Sequence, residues 1–514
     1  MRVLVFHGYL LRGTGSNVYN ARLAAALARR GHEVHLLSQE SRPEEVEGLL
    51  VSGRVHVHRP DIGRVLPVYV ADRYEGFDAR PFTELDDATI EEYVARNVAA
   101  VREVAGAVEP DVALANHLVM GPVVLARALG DRVPYAVKIH GSALEYTVKR
   151  DPGRFMPYAR EGLAGARAVL VGSRHTAESL WAAMGDGDGA LRARTRLGPP
   201  GVDVELFRPR PRDEAAAAVR DLARELRAAP PPARTGSSFD RDPVAAAGAL
   251  DRLRPDDDRH VAYVGKLIVS KGVDLLAAAW PLVLAAEPRA RLVVVGFGAY
   301  REAFERLLAA LGRGDLQAVR ELAQQGRAAE GGPQGRLDHL LAFLDGLEAD
   351  PVARGAYLEA AARIPDRVLV VGRLEHEELA PVLALCEAQV VPSTFPEAFG
   401  MVAAEAAAAG ALPVSARHSG LAEVATVLAE PLGAAAADLL TFPLGDVAVE
   451  GLAGRLVRWL GMDEGQRAPV RDALVDTARR RFSWEGVADG VVLAAQGRVD
   501  ELPEPPPPAP APVL

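Results

Sequence analysis

The chain has few of the residues that mark several classes of protein. It contains one cysteine, Cys386, among 514 residues, which excludes an internal disulfide and a cysteine-rich metal site. We expect Cys386 to be a buried helix residue. No apolar run reaches the length of a membrane span, and the opening MRVLVFHGYLL reads as a strand without a signal-cleavage pattern. The expectation is a cytoplasmic protein with no transmembrane span; peripheral membrane contact and oligomeric state stay open.

Positive charge is also scarce, and lysine most of all. The formal net charge is −10 and the basic residues form no long run, which argues against a nucleic-acid partner. Of 59 lysine and arginine residues only four are lysine: Lys138, Lys149, Lys266 and Lys271. Half of the lysines therefore fall in one short segment, GKLIVSKG, which favours a binding role there over a solvated loop.

Short apolar runs alternate with alanine- and leucine-rich helical stretches in both halves of the chain. This alternation predicts an α/β protein with two Rossmann-like, doubly wound domains. We predict a first domain over 1–209, completed by a C-terminal helix at 483–499, and a second over 259–482 with a helical insertion at 301–366. Residues 210–258 contain a Pro/Ser/Gly stretch and predict a partly disordered linker insertion, and 500–514 predict a disordered proline-rich tail.

The segment from 390 to 416, VVPSTFPEAFGMVAAEAAAAGALPVSA, reads as strand, loop, alanine-rich helix and strand. Glu397 in the loop and Glu405 in the helix have seven residues between them. A carboxylate on an apolar helix is unfavourable unless something binds it, and the free N–H groups at a helix start suit phosphate or sugar oxygens. The alternative is that Glu397 is a surface residue and Glu405 lies on an exposed helix face.

Polar residues also follow predicted strands of the first domain, where parallel sheets bind ligands. Gly13 and Gly15 form a turn that allows close backbone approach, although a tight turn alone would also use them. Asn116 and His117 end one strand and either face a ligand or satisfy their own loop. His140 ends another strand before Gly141, which suits an imidazole directed at a ligand.

PEAFGMVAAEAAAAG, with its flanking PS and G-x-P-V elements, resembles the E-x7-E signature of retaining nucleotide-sugar glycosyltransferases of the GT-B fold, family 4. The resemblance implies two domains that face each other across a cleft. It implies catalytic roles for His140, Glu397, Lys271 and Lys266, and acceptor contacts at Gly13, Asn116 and His117. Donor contacts are implied at Gly15, Ala398, Phe399, Gly400, Met401, Val402, Glu405, Arg373 and Leu374. The chain departs from the family at Lys266, where the family has Arg, and at Ser419, where the family has Gly.

The implied reaction moves a hexosyl group from a nucleotide-diphosphate sugar to a hydroxyl acceptor with retention of configuration. The partners are then a nucleotide sugar and an acceptor, with no cofactor and no obligatory metal, since no Asp-x-Asp motif stands at a suitable strand end. Two alternatives stay open: a disaccharide phosphorylase of the same fold, and a catalytically idle sugar- or nucleotide-binding partner protein. The sequence does not identify the nucleotide, the sugar or the acceptor.

Overall fold

The computed structural model describes residues 1–13, 15–69, 74, 76–185, 187, 189–229, 241–332 and 334–505. The chain divides into two compact units. Unit 1 comprises Met1–Gly201 together with the chain from Phe482 onward, and unit 2 comprises Val202–Arg481. Each unit contains its own parallel sheet with helices packed on it, which agrees with the predicted fold class.

The strands are short, and those in the middle of each large sheet are almost fully buried, as expected for parallel sheets covered on both faces. In unit 1 they are β1 (Arg2–Phe6), β2 (Glu33–Leu37), β3 (Val55–His58), β4 (Val65–Val68), β5 (Asp78–Pro81), β6 (Val112–Asn116), β7 (Tyr135–Ile139), β8 (Ala168–Val171) and β9 (Thr195–Leu197). In unit 2 they are β10 (Arg259–Val264), β11 (Ala290–Val295), β12 (Val368–Gly372), β13 (Cys386–Val391), β14 (Leu412–Ala416) and β15 (Thr441–Phe442).

Helices connect the strands throughout the described residues. Up to the start of β10 they are α1 (Gly15–Arg29), α2 (Asp87–Val108), α3 (Gly121–Leu129), α4 (Pro152–Ala164), α5 (Arg174–Met184), α6 (Ala190–Ala193), α7 (Arg212–Ala228) and α8 (Pro243–Leu250). Those after β10 are α9 (Val273–Ala286), α10 (Arg301–Gly312), α11 (Leu316–Gln325), α12 (Asp338–Ala349), α13 (Pro351–Ala361), α14 (Ile364–Arg367), α15 (His376–Ala384), α16 (Met401–Ala409), α17 (Ser419–Ala429), α18 (Ala434–Ala437), α19 (Ala448–Gly461), α20 (Glu464–Arg481) and α21 (Trp484–Gln496). No helix in the described ranges has the length and apolar character needed to cross a membrane.

Both large sheets reverse their strand order at one point. The order is β3-β2-β1-β6-β7-β8-β9 in unit 1 and β12-β11-β10-β13-β14-β15 in unit 2. Successive connections run outward in opposite directions from β1 and β6, and likewise from β10 and β13. The loops after these strand pairs therefore separate, and the crevice they leave at the carboxyl ends of the strands is where such sheets bind ligands.

Alternate residues of the central strand β1 pack on opposite faces of the unit 1 sheet. Leu4 and Phe6 contribute to one apolar cluster, and Val3 and Val5 to a second cluster that includes residues of α1 and α21. The C-terminal helix α21 thus covers one sheet face within unit 1, next to β6 and β7. This packing explains why a helix so late in the chain belongs to the first unit.

The structure corrects the interpretation of 210–258 as a partly disordered linker, as far as these residues are described. Helix α7 buries a stripe spaced at helical intervals, Ala215, Val219, Leu222 and Leu226, and packs against α8 and α15. Helix α8 in turn packs on the edge strand β12. Both helices are therefore part of unit 2, and only 230–240 of the predicted linker lies outside the described residues.

Two smaller expectations also change. Cys386 is buried but begins strand β13, because helix α15 ends two residues earlier at Ala384, so its assignment to a helix was wrong. Residues 500–505, predicted to open a disordered tail, are ordered: Leu502 is buried, and the Pro503 carbonyl accepts a 2.7 Å hydrogen bond from Leu197 N–H. The rest of the predicted tail, 506–514, lies outside the described residues.

Candidate active site

In unit 2, two loops meet at the point where the strand order reverses. The first, residues 265–272, connects β10 to α9 and contains Lys266 and Lys271; we call it the lysine loop. The second connects β13 to α16. Gly272 has φ of 66°, and a Cβ atom there would lie 1.9 Å from the Pro392 carbonyl oxygen. Only glycine permits this approach, which brings the Lys271 ammonium into an ion pair with Glu397.

Glu397 is held by groups from three parts of the chain. Besides Lys271, the Ser393 hydroxyl donates to Glu397 Oε1 at 2.7 Å, and the Glu397 N–H donates to Ser419 Oγ at 2.9 Å. Burial by itself would raise the pKa of Glu397, but Lys271, Ser393 and His418 outweigh it and leave the pKa lowered. Glu397 is therefore an ionised, oriented carboxylate at neutral pH.

The turn at His418–Gly420 explains why Ser419 can replace the family's glycine. Ser419 has φ of 46°, a left-handed conformation that favours glycine. The same turn places its hydroxyl 2.9 Å from Glu397 N–H and 3.0 Å from His418 Nδ1, so the side chain gains hydrogen bonds that glycine could not make. Gly420, by contrast, cannot be replaced by a residue with a side chain, because a Cβ atom there would lie 2.7 Å from the Phe399 backbone.

Helix α16 begins directly after the Glu397 loop. Gly400 precedes it with φ of 128°, and the N–H groups of Met401 and Val402 occupy the first turn, where no intrahelical acceptor exists. The alanines of this helix are buried, and Gln389 of β13 donates to the Val402 carbonyl at 2.9 Å. The predicted donor residues from Ala398 to Val402 thus form one loop and helix start at the reversal point.

Glu405 lies in the same helix with a relative exposure of 4 %, which excludes the alternative that it occupies an exposed face. His376 Nε2 lies 3.5 Å from Glu405 Oε1. His376 is the first residue of α15, directly after the β12 turn that contains Arg373 and Leu374. The structure therefore brings Glu405 close to these two predicted donor residues.

Lys266 lies at the start of the lysine loop, and its backbone is fastened to β10. The hydroxyl of Tyr263 donates to the Lys266 carbonyl at 2.7 Å. Further along the loop, Leu267 N–H donates to the Phe297 carbonyl at 2.7 Å, and Tyr300 N–H donates to the Leu267 carbonyl at 2.9 Å. These hydrogen bonds fix the backbone of the loop between β10 and the segment before α10. Its two lysines lie near the two ends of the loop.

In unit 1, the residues at the reversal point form a buried network that ends on His140. Asn116 Nδ2 donates to the Phe6 carbonyl at 3.2 Å and to Asn20 Oδ1 at 2.7 Å. Both Asn116 amide hydrogens are then used, so the 2.7 Å contact between Asn116 Oδ1 and His140 Nε2 requires His140 to donate. His140 Nδ1 is left as an acceptor, and no residue in the described ranges hydrogen-bonds to it.

The surroundings of His140 keep the ring neutral. Burial, followed by the nearby His117, Lys138 and His7, lowers the pKa of His140 well below its usual value of 6.5. Lys138 is itself buried, which lowers its pKa to about 7, and its ammonium donates to the Gly198 carbonyl. At neutral pH His140 therefore presents a hydrogen-bond acceptor at Nδ1.

The remaining predicted residues of unit 1 lie around this network. Gly13 has φ of 93°, and Gly15 begins α1 with no atom within 4 Å of an added Cβ. Asn116 and His117 are only 1 % and 2 % exposed, so their side chains are covered in this structure. Asn116 satisfies its own loop and orients His140, and a direct acceptor contact by either residue stays a prediction.

Sequence reasoning missed several residues that the structure brings to these sites. In unit 1 they include Asn20, which donates to His7 Nδ1 at 3.0 Å and accepts from Asn116. Asn17 and Asn20, three residues apart on the otherwise alanine-rich helix α1, were the available signal. In unit 2 they include Ser393, His376, Tyr263 and Tyr300.

Comparison with protein families gives two matches. A glycosyl transferase 4-like domain matches residues 14–190, and a domain of glycosyl transferases group 1 matches residues 354–428. The second match spans Glu397, Glu405 and the Ser419 turn, and the first spans His140. The matched segments therefore contain most of the residues described above.

Individual relatives agree with these domains. D-inositol 3-phosphate glycosyltransferase from Segniliparus rotundus is 28 % identical over 295 residues, which is 57 % of this chain and 45 % of that protein. This chain thus spans less than half the length of that curated relative. Sucrose-phosphate synthase from Thermosynechococcus elongatus matches 97 % of this chain and 99 % of its own, at 20 % identity and a TM-score of 0.58. Anabaena HepE in complex with UDP and glucose matches 96 % of this chain and 99 % of its own, at 16 % identity and a TM-score of 0.54.

The solved structures establish that the two units form a GT-B fold. The chain therefore contains two domains that match glycosyltransferase families, and it is similar to the GT-B glycosyltransferases of family 4.

Proposed function

We propose that the protein is a retaining glycosyltransferase that transfers a hexosyl group from a nucleotide-diphosphate sugar to a hydroxyl acceptor. The observation that carries the proposal is the Lys271–Glu397 ion pair at the reversal point of the unit 2 sheet, beside the start of α16. One cation, one oriented carboxylate and free helix N–H groups are what a leaving diphosphate and a departing sugar require.

The chemistry divides among these groups. The bond between the anomeric carbon and the diphosphate oxygen breaks, and its electron pair leaves with the nucleoside diphosphate. Lys271, Lys266 and the first N–H groups of α16 stabilise the charge that develops on that leaving group. The acceptor oxygen bonds to the anomeric carbon on the same face, and its proton passes to the leaving phosphate oxygen, so the mechanism requires no protein base.

Two carboxylates and one imidazole would bind the donor's hydroxyl groups. Glu397 accepts from sugar hydroxyls, and Glu405, buried two turns deeper, accepts from the ribose. His140 Nδ1, kept neutral by its surroundings, accepts from a hydroxyl of the transferred sugar. Each role needs an acceptor, and the lowered pKa values of Glu397 and His140 keep these two groups in their accepting state at neutral pH.

The similar proteins favour a nucleotide sugar over inorganic phosphate as the co-substrate. HepE is solved in complex with UDP-glucose, and a starch synthase IV catalytic domain from Arabidopsis thaliana with ADP and acarbose. UDP-glucose and ADP both contain a nucleoside diphosphate of the kind that the unit 2 site would hold. A disaccharide phosphorylase, the alternative, needs no nucleoside diphosphate.

A thermal-shift panel of UDP, ADP, GDP and their sugar conjugates tests the proposal. A ligand that binds only the native state raises the melting temperature in proportion to the logarithm of its concentration. We expect the diphosphate and the sugar conjugate of one nucleoside to raise the melting temperature more than those of the other two nucleosides. No shift with any nucleotide, combined with phosphate-dependent release of a sugar from a disaccharide, would establish the phosphorylase instead.

Replacement of Glu405 tests the ribose assignment. We expect Glu405→Ala to weaken binding of the nucleoside diphosphate by about 1–3 kcal/mol, the range for a lost hydrogen bond to a charged group. Because nucleoside and nucleoside diphosphate share the ribose, calorimetry should show the same loss for both. Glu450→Ala, at an exposed glutamate in the first turn of α19, serves as the control. Unchanged affinity in Glu405→Ala would remove Glu405 from the site.

A further inference from the structure

A buried, titratable cluster lies beneath the lysine loop and has no part in the chemistry described so far. Asp274 stands in the first turn of α9, three residues after Lys271, with a relative exposure of 4 %. Tyr300 precedes α10 with an exposure of 0 %, and Glu330 lies in the 3-10 turn Gly326–Glu330. These three side chains come from separate segments and surround one loop.

Two of these three side chains have a buried polar atom without a hydrogen-bond partner among the described residues. Asp274 Oδ1 and the Tyr300 hydroxyl are both buried and have no hydrogen-bond partner within the described ranges. Leaving a buried polar atom unpaired is unfavourable, because the atom loses its hydrogen bonds to water without replacement. A carboxylate in this condition is unfavourable in its charged form, whereas a neutral carboxylic acid loses much of that penalty.

The cluster is physically joined to the lysine loop. Glu330 Oε2 accepts from Val269 N–H at 2.8 Å, and the Tyr300 N–H holds the Leu267 carbonyl. Tyr263, which holds the Lys266 carbonyl, is close enough to both Asp274 and Glu397 that each raises its pKa. Asp274 is therefore electrostatically coupled to the tyrosine that binds the Lys266 backbone in the lysine loop.

The charged neighbours of Asp274 favour its neutral form. Burial, together with the negative charge of Glu330, raises the pKa of Asp274 to about 7, against backbone N–H groups of Asp274 and Leu275 that lower it. Arg327 Nε lies 3.8 Å from Glu330 Oε1, and Arg306 acts on Tyr300. Asp274 thus stands near the midpoint of its titration at neutral pH, where an added negative charge changes its protonation most.

We propose that Asp274, supported by Tyr300 and Glu330, is a proton-coupled positioning residue of the lysine loop, and that it takes up a proton from solvent when a nucleotide diphosphate binds to Lys266 and Lys271. The inference rests on the proposed function, because it requires that the diphosphate binds at this loop. A like charge nearby disfavours the carboxylate, so the bound state holds the additional proton. By linkage, affinity then falls as the pH rises through 7.

Calorimetry of the wild-type protein provides the first test. The probes are UDP-glucose, ADP-glucose and GDP-mannose, whose diphosphates are diesters with no group that titrates between pH 6 and 8.5. Titrations at pH 7 in two buffers of different ionisation enthalpy give the number of protons exchanged. We expect an uptake of about half a proton, the fraction of a group ionised at its pKa, and Kd roughly fivefold to tenfold weaker at pH 8.5 than at pH 6.

Variants then locate the proton. Asp274→Asn keeps the side-chain shape and cannot titrate, so we expect proton uptake to vanish and the affinity to become independent of pH. Glu330→Gln still accepts from Val269 N–H but lacks the charge, so the midpoint of the Kd profile should move to lower pH. Asp315→Asn, at the exposed N-cap of α11, is the matched control and should behave as wild type.

The possible results separate the two proposals. If none of the three nucleotide sugars binds the wild-type protein, the proposed function itself fails. If one binds without proton uptake, only the role of Asp274 is overturned. An unchanged uptake in Asp274→Asn would also overturn it, because the proton would then bind elsewhere. If the wild-type protein takes up no proton and Asp274→Asn binds more weakly by the same factor at every pH, the Asp274 carboxylate has a purely structural role.

Discussion

Replacing His140 by alanine is expected to lower kcat by roughly 10²-fold, the scale of a lost transition-state contact. The Nε2–H group of His140 is fixed by Asn116, and Nδ1 remains an acceptor for a sugar hydroxyl. His140 belongs to unit 1, whereas every residue proposed to hold the nucleoside diphosphate belongs to unit 2, apart from the Gly15 turn. Affinity for the nucleoside diphosphate should therefore stay within about twofold of wild type.

The measurement is steady-state kinetics with the donor identified by the thermal-shift panel, together with calorimetry of the nucleoside diphosphate. His56→Ala provides the control, since His56 lies exposed on the edge strand β3, outside the proposed site. A His140→Ala protein with near-normal kcat would leave His140 as a structural residue of its turn. Equal losses of kcat and nucleotide affinity would indicate damage to the fold instead.

Replacing Lys271 by alanine is expected to have an effect at least as large, of about 10²- to 10³-fold on kcat. The variant loses a charge that stabilises the leaving diphosphate, and it also leaves Glu397 without its cation. Without Lys271 the pKa of Glu397 should rise relative to wild type, so on the acid side the variant should lose activity at a higher pH than wild type does. Nucleoside-diphosphate affinity should drop, while nucleoside affinity should not.

Two other lysine variants show whether the effect is specific. Lys149→Ala removes an exposed lysine of unit 1 that pairs with Glu145 and should leave activity unchanged. Lys266→Arg should be tolerated, because the resembling family has arginine at this position and the charge is preserved. If Lys271→Ala weakened nucleoside and nucleoside diphosphate by the same factor, the lysine loop would be damaged generally, and the diphosphate assignment would be wrong.

The sequence pattern alone was sufficient to predict segments whose structure depends on their own residues. The alternation of apolar strands and alanine-rich helices predicted the fold class, and Ser173 and Gly410, residue types typical of an N-cap and a C-cap, mark a helix start and a helix end. The amphipathic stripe of α7 was present in the sequence too, but the Pro/Ser/Gly stretch that follows it outweighed that signal. Its assignment to a linker was therefore an error of interpretation.

The partners of the site residues could not be read from the chain. Lys271 and Glu397 are 126 residues apart, and Glu397 and Ser419 are 22 apart. Asn116 faces Asn20 across 96 residues because β1 and β6 are neighbours in the sheet. Hydrogen-bond directions, and with them the protonation states of His140 and Glu397, follow only when those neighbours are known.

The sequence by itself determined which groups are available: two carboxylates eight positions apart, two lysines bracketing a short loop, and a histidine before a glycine at a strand end. These follow from spacing along the chain, which turns and helices convert directly into local geometry. The tertiary structure alone decided that Glu405 is buried, that Lys271 faces Glu397, and that Asp274 lies under the lysine loop among Tyr300 and Glu330. Burial and charge pairing depend on the order of strands in the sheet, and that order brings together segments that are distant in the sequence.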